Sequence, residues 1–531
     1  MIEYSNIYAL FASFDKEKAL RVIKKLLNSN FIVYTTDGTF NKFNEAFSNK
    51  ISETLFNNLH SVKEITGFSD FFNGRIKTLH HKIYCSILAN TKEDFAVLKE
   101  MDLPFFKIVF VDLYPFHEIK NKLENSKDQR IEKNLIEMID IGGVSLIRAA
   151  AKNYEHVYVI IDENDLEEVL KCSDNIELRK QLMKKAFFYT YEYEKEIAQY
   201  FNNDYELLTL KKMDIELRYG ENYHQKALAF KIVQKREQNS FEFSSIFDFQ
   251  VTSNKAMSYN NYVDLDALIK LLYDLKDFNC CAIIKHNNPC GVAIDTYSES
   301  TKTVYLKAVS SDPVSAFGGV IGFTRKVDLQ TAKELESAFI DVIAAPEFEK
   351  EALELIRKKK NRRIIEIKNF ETYMNNQKFE YKYVLNGFLK QDYDFVKEKF
   401  EDFKLICGEK LSKERIVDAL LAWIVCKNTK SNAIVITNNN QTIGIGSGQT
   451  SRIDAAKIAI EKAKIFKHVL KNSICASDAF LPFEDTLELI AQNNVKVLLQ
   501  PGGSVNDEKI IKKAEELGIT MYFTNVRHFK H

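Results

Sequence analysis

The chain has 531 residues, 45% of them hydrophobic and 28% charged, which is ample for sizeable cores and, on length alone, suggests roughly three to four domains. Lys+Arg and Asp+Glu balance at 74 each, so no global field draws nucleic acid or an anionic membrane to it. The 8 cysteines, with one adjacent pair (Cys280-Cys281) and no CxxC, suit a reduced cytoplasmic protein better than a disulfide framework or zinc knuckle, and the absence of a signal-peptide pattern or a run of about 18 apolar residues predicts no membrane span.

Glycine and proline are scarce, at 18 and 7, so each one kept is expected to serve backbone geometry, and their clusters mark candidate sites. Ile7 to Phe11 reads as a strand and Lys16 to Leu27 as an amphipathic helix, with Leu20, Ile23, Leu26 and Leu27 at helical spacing. Phe31 to Thr35 is a second strand, and strand–helix–strand suggests a parallel α/β unit. Thr36-Asp37-Gly38-Thr39 reads as a turn before a helix, able to cradle phosphate on main-chain N–H groups, although such residues also make ordinary turns. Next, Asn73-Gly74 is followed by Arg75, Lys77 and Thr78, three phosphate-compatible donors that are equally at home in a solvated basic loop. Phe106 to Val111 is a strand ending in Asp112-Leu113-Tyr114-Pro115-Phe116. After Asp140 and Ile141, Gly142-Gly143 opens a predicted helix with an anion-ready N-terminus, and Lys152 lies a few turns on, before a strand from Val157 to Ile161. Residues of about 165 to 210 read as helix leading out of a first domain.

Cys281 to Ile284 reads as a buried strand that stops in Lys285-His286, with Asn287, Asn288, Pro289 and Gly291 expected to break regular structure. A base and a cation at the end of a buried strand is where open α/β sheets place chemistry. The two side chains share a pocket only if the chain turns there, since side chains alternate along a strand. An isolated Lys-His pair is more often a surface lysine beside a satisfied histidine. Gly444 to Arg452 (GIGSGQTSR) has GxGxG rather than GxGxxG spacing, which argues against a nicotinamide site. Pro289-Cys290 lacks the HxE and second cysteine of a zinc deaminase, and no metal site is expected.

GRIKTLH, DLYPF and IDIGGVSLIRAAAKN, in that order, resemble the inosine monophosphate (IMP) cyclohydrolase half of the bifunctional AICAR transformylase/IMP cyclohydrolase family. Arg218-Tyr219-Gly220-Glu221-Asn222, Lys285 to Gly291, Ser310 to Gly319, Lys430 to Ala433, Ser477 to Asp485 and Asn525 to His531 resemble its transformylase half, so the likeness covers essentially the whole chain. It implies an α/β fold. The resemblance further implies that residues 1–210 form a methylglyoxal-synthase-like cyclohydrolase domain and 211–531 a transformylase region of two cytidine-deaminase-like subdomains, split near 385. It implies formyl transfer from 10-formyltetrahydrofolate to the poorly nucleophilic amine of AICAR, with His286 as base and Lys285 favouring neutral imidazole and stabilising the oxyanion. Arg218, Tyr219, Gly318, Asp341, Asn432, Arg452, Phe480 and Arg527 align with AICAR contacts, Ser504 and Val505 with folate contacts, and Asp485 with positioning of the formyl donor. In the first half Lys152 aligns with the proton donor and acceptor of ring closure, Arg75, Lys77, Thr78, Asp140 and Ile141 with nucleotide contacts, and Tyr114 with an oxyanion or proton partner. The family further implies a cytoplasmic homodimer with sites shared between protomers, no tightly bound cofactor, AICAR, formyl-AICAR and IMP as ligands, and leaves a monovalent cation (K+) open.

Departures concentrate in the first half. The family's SVSDK reads Ala12-Ser13-Phe14-Asp15-Lys16, SGGT reads Thr36-Asp37-Gly38-Thr39, and Asp112 replaces asparagine. His81 replaces proline and Cys85-Ser86 a glycine pair; in the second half Tyr223 replaces proline. An added carboxylate beside a phosphate is expected to weaken binding unless nearby Arg or Lys offsets it. Two competing readings follow: a transformylase with a non-catalytic N-terminal nucleotide-binding domain, and a nucleotide sensor without catalysis, which intact Lys285 and His286 disfavour.

Overall fold

The computed structural model describes residues 7–531 apart from 48–52, 69–70, 73, 117, 121–132, 134, 173, 203–207, 234–244, 296–299 and 376, so Asn73 of the basic turn lies outside the described residues. The chain divides into two compact units, Met1–Leu207 and Leu208–His531.

In the first unit β1 (Ile7–Ser13), β2 (Phe31–Thr35), β3 (Leu59–Ser61), β4 (Phe106–Asp112) and β5 (Tyr158–Ile160) form one sheet in the order β3-β2-β1-β4-β5, every pair parallel. The central strands are near-continuous apolar runs because helices cover both faces of a parallel sheet. Ala9, Leu10, Phe11, Phe106, Val109 and Phe110 are accordingly fully buried, and Phe11 stacks on Phe110 at 4.8 Å. The helix Lys16–Asn28 starts where Asp15 accepts hydrogen bonds from Glu17 N and Lys18 N, and its buried face carries Leu20, Ile23, Leu26 and Leu27 at the expected spacing. Burying each such side chain contributes about 1.5–3 kcal/mol. Residues 37–39, expected to be a turn, instead form the first turn of the helix Asp37–Phe47, because Thr36 O already accepts from Thr39 N and Phe40 N.

The second unit adds two ribbons, β6 (Thr209–Lys212) with β7 (Phe230–Val233) and β14 (Phe379–Val384) with β15 (Gly387–Asp392). Its main sheet has twelve strands: β8 (Val251–Thr252), β9 (Asn279–Lys285), β10 (Asn288–Asp295), β11 (Val320–Phe323), β12 (Val342–Ala345), β13 (Arg363–Glu366), β16 (Lys404–Cys407), β17 (Ile434–Asn438), β18 (Gln441–Gly446), β19 (Ile474–Ser477), β20 (Val497–Gln500) and β21 (Thr520–Phe523). The order is β16-β21-β20-β19-β17-β18-β10-β9-β11-β12-β13-β8. It reads the same outward from the centre. Each half has a hairpin (β9/β10, β17/β18), an antiparallel neighbour (β11, β19), two parallel strands, and an antiparallel edge. The halves meet where β10 pairs with β18 at Ala293 and Gln441.

Each hairpin also lies close on a helix. A Cβ on Gly291 would come within 2.0 Å of Ala308 O, and one on Gly446 within 1.9 Å of Ala455 O. The expected break after His286 is confined to Asn287. Asn288, Pro289 and Gly291 continue as β10, with only a register shift between Pro289 and Gly291, and the reversal falls on His286-Asn287. Of the residues predicted to break the strand, Asn287 lies in the turn, while Asn288, Pro289 and Gly291 do not.

Candidate active sites

An all-parallel sheet in which neighbouring crossovers diverge opens a crevice at the carboxyl ends of its strands. In the first unit β1 sits between β2 and β4, and a cavity of about 890 Å³ lies beyond their carboxyl ends. Ala12 to Phe14, Lys16, Thr36, Arg75, Lys77, Thr78, Asp112, Tyr114, Asp140, Ile141, Gly142 and Gly143 line it. The helix Gly142–Lys152 presents its N-terminus there, and Asp140 Oδ1 accepts from Gly143 N at 2.6 Å. Burial raises the Asp140 carboxyl above its usual range, with Lys77 acting in the opposite direction. Lys16 donates to Ser13 O at 3.1 Å and Thr39 Oγ1 at 2.7 Å; burial, and then the charges of Lys77 and Lys42, hold its ammonium below its ordinary pKa. Three cations with a helix N-terminus suit an anion.

The altered positions have structural answers. Asp37 does not line the cavity; its Oδ1 accepts from Ser61 Oγ, so the carboxylate expected to face phosphate is engaged at the end of β3. Asp112 does line it, but Ser13 Oγ donates to it at 3.0 Å and Lys18 Nζ pairs with it at 3.1 Å. Phe14 packs its ring 4.9 Å from that of Tyr114, giving the cavity an aromatic wall. Arg75 forms a two-point pair with Glu137.

Lys152 is not brought to this place. It is the last residue of the helix whose first residues line the cavity, about 15 Å away at 1.5 Å per residue, and it is exposed, one turn beyond exposed Arg148. The sequence motif joins the two ends of one helix, and an α-helix holds its ends apart.

In the second unit, the predicted residues gather along one edge of the sheet. β9 ends at Lys285 and β10 begins at Asn288; Gly318, Asp341 and Asn432 precede β11, β12 and β17, while Arg452, Phe480, Ser504, Val505 and Arg527 follow β18, β19, β20 and β21. Antiparallel pairing of β10 with both β9 and β18 puts these ends on the same side. His286 and Asn287 have φ of 52° and 62°, the two-residue hairpin with both central residues left-handed. Lys285 Nζ donates to Phe317 O at 3.0 Å and Gly318 O at 3.1 Å, leaving one of its three N–H groups for a ligand. Asn288 Oδ1 accepts from Lys430 N at 3.0 Å, tying the hairpin to the loop that carries Asn432. Arg452 reaches Asn432 Oδ1 at 2.8 Å and Ser477 Oγ at 3.0 Å. Asp485 lies exposed at a helix start and accepts from Thr486 N at 2.6 Å. Arg218 lies 5.2 Å over the Tyr219 ring.

Three residues without a predicted role complete this edge. Asp478, fully buried, accepts from Arg452 and from Ser431 Oγ at 2.5 Å. Arg363, 2% exposed, donates to Ala256 O and lies 4.0 Å from Asp341. In sequence, nothing separates it from the other cations of the run Lys358 to Arg363. Asp264 accepts from Asn287 N at 2.6 Å. Nothing in its local sequence marks it.

A model of the AICARFT/IMPCHase bienzyme family matches residues 150–462. The bifunctional purine biosynthesis protein PurH of Aquifex aeolicus is 40% identical over 537 residues, 98% of this chain and 100% of the relative. PurH proteins of Persephonella marina and Petrotoga mobilis are 37% and 38% identical over 540 residues, each covering 98% of this chain and 99% of the relative.

Proposed function

The chain belongs to the AICARFT/IMPCHase bienzyme family, and from that membership we propose how its own residues divide the two reactions. It is a bifunctional enzyme of purine biosynthesis, acting as AICAR transformylase and as IMP cyclohydrolase. A transformylase carrying a non-catalytic N-terminal domain is not favoured, since bifunctional relatives match 98% of the chain.

Formyl transfer takes place at the sheet edge of the second unit. The AICAR amine attacks the formyl carbon of 10-formyltetrahydrofolate, the new C–N bond forms, and the bond to the folate nitrogen breaks. His286 takes the proton from the attacking amine and returns it to the departing folate nitrogen, which leaves as tetrahydrofolate, and the free N–H of Lys285 faces the oxyanion. The nucleotide is held by Arg218, Tyr219, Gly318, Asp341, Asn432, Arg452, Phe480 and Arg527. Ser504, Val505 and Asp485 meet the folate. Two cytidine-deaminase-like repeats describe this unit, and the mirrored strand order supports them. Both steps are polar group transfers that need no tightly bound cofactor. A homodimer in the cytoplasm, completing each site with a second protomer, fits the exposed edge.

Ring closure takes place in the cavity of the methylglyoxal-synthase-like first unit. The carboxamide nitrogen attacks the formyl carbon and water leaves, so orientation supplies much of the rate. Thr78, Arg75, Lys16, Ile141 and the helix N-terminus hold the nucleotide, and Tyr114, Lys77 and Asp140 manage the proton. The relay is placed on these residues rather than on Lys152 because they line the cavity.

The observation that carries this reading is the left-handed turn that sets His286 beside a Lys285 already held by two carbonyls. The test is to mix the protein with AICAR and 10-formyltetrahydrofolate and follow tetrahydrofolate and IMP separately. Both rise together in the wild type. His286→Ala lowers tetrahydrofolate release by about 10²–10⁴-fold while added formyl-AICAR is still closed to IMP. Unchanged formyl transfer in that variant would overturn the assignment.

A further inference from the structure

The turn that presents His286 is conformationally costly. Left-handed backbone disfavours residues with a Cβ; asparagine and histidine take it more readily than most, but glycine, which takes it freely, is absent from both positions. Such a turn persists only where its surroundings over-determine it. Its main-chain donors also need acceptors, since they lie beyond the strand ladder. Asp264 supplies one: its Oδ1 lies 2.6 Å from Asn287 N, and the His286 main-chain N–H also interacts with the carboxylate. Asp264 is half-buried on the helix Tyr259–Asp274, whose start is fixed by a reciprocal cap between Ser258 and Asn261. That helix is anchored through fully buried Leu265, Leu268, Leu271 and Leu272. The carboxylate is therefore delivered by a rigid element, the arrangement that holds a reacting group in place.

We propose that Asp264 is a positioning residue for formyl transfer: it fixes the His286-Asn287 turn, and so the direction of the His286 imidazole, without touching substrate. The proposal rests on the role given to His286 above. A misplacement of about 1 Å costs on the order of 10²-fold in rate, and an error of position lowers kcat more than it raises KM.

The test measures formyl transfer by the full chain in Asp264→Ala, Asp264→Asn and Asp264→Glu, with closure of added formyl-AICAR by the same preparations as the folding control. Asp264→Ala is expected to lose about 30–300-fold in kcat, with the KM for AICAR within about threefold and cyclisation unchanged. Asp264→Asn, which keeps an acceptor oxygen, retains kcat within about fivefold. Wild-type kcat in Asp264→Ala overturns the proposal, as does a rise in KM alone, or an Asn variant as impaired as the Ala variant. If Asp264→Ala does not fold, Asp264→Glu decides: its displaced acceptor lowers kcat at constant KM, and a wild-type kcat there overturns the proposal. His286→Ala, measured alongside, separates the two readings. An active His286→Ala removes the premise, whereas an inactive His286→Ala beside a fully active Asp264→Ala removes only the role of Asp264.

Discussion

At the scale of single residues, the chemistry turns on which side chains reach a common space. Lys77 and Lys152 show the difference. Both belong to motifs of the cyclohydrolase half, yet only Lys77 lines the cavity, whereas Lys152 is exposed at the far end of a helix. Lys77→Ala is expected to lower formyl-AICAR closure by about 10²-fold, within the range of a lost general acid or base, and Lys152→Ala to leave it within about threefold. Single-turnover closure of formyl-AICAR checks this, and the reverse ranking would return the proton step to Lys152. Asp112 and Asp37 make a related point. A carboxylate in a phosphate site counts only where it points, and one is paired with Lys18 while the other is engaged by Ser61. Lys18→Ala leaves Asp112 facing the cavity without its cation. IMP binding, measured by calorimetry, is expected to weaken about 5- to 20-fold and to recover in Lys18→Ala/Asp112→Asn.

At the scale of elements, close approach of backbones decides what each strand and helix tolerates. Gly143 opens the helix that faces the cyclohydrolase cavity, and a Cβ there would lie 2.5 Å from Asp140 Oδ2 and 2.7 Å from Leu113 Cδ2. Gly143→Ala must push Asp140 aside, and the expected result is a loss of ring closure of at least about tenfold with formyl transfer intact, checked by assaying both on one preparation. Gly446 packs β18 onto the helix Arg452–Ile465, where an added Cβ would lie 1.9 Å from Ala455 O and 2.7 Å from Ala455 C. Gly446→Ala is expected to destabilise the second unit by about 1–3 kcal/mol or more through overpacking, read as a lowered denaturation midpoint. Here the obstacle is main chain, which cannot swing away as a side chain can.

At the scale of the whole molecule, the last residues fasten the second unit. His528, 2% exposed, sits between Asp394 at 2.5 Å and Glu398 at 2.7 Å, with Trp423 beside it. Main-chain bonds from His528 N to Asp478 O and from Ser431 N to Lys530 O complete the attachment, while neighbouring Arg527 stays exposed. Burial alone would lower the His528 pKa, but the hydrogen bonds and charges of Asp394 and Glu398 prevail and raise it from 6.5 to about 9. A raised pKa stabilises the fold fully below the unfolded value and loses that contribution as pH climbs through the folded one. The window is therefore about 6.5 to 9, and the contribution is on the order of 3 kcal/mol near neutral pH. Wild-type protein is expected to lose stability between about pH 7 and 9.5 by more than His528→Gln does. Denaturant unfolding at the two pH values measures it, and equal losses would show that the tail is not held by this charge.

The amino-acid sequence by itself determined the α/β character, the apolar strands read at Ile7 to Phe11 and Cys281 to Ile284, the amphipathic helix after Asp15, and the family, because these rest on local pattern: side-chain period and ordered motifs. Only the tertiary structure decided which motif residues meet. A break at Asn287 was legible, but the tight turn on His286-Asn287 was not, because neither residue is glycine and the carboxylate that holds it, Asp264, lies 23 positions away. Arg363 was hidden because a buried guanidinium and a solvated one are the same letter in a run of cations. Asp37 appeared obstructive because sequence gives a charge but not its direction. Lys152 lies away from the cavity that its own motif opens, because a contiguous motif need not be a contiguous site when a helix runs through it. Local propensity is written along the chain, whereas convergence depends on strand order, and strand order is set by packing between segments that the sequence keeps far apart.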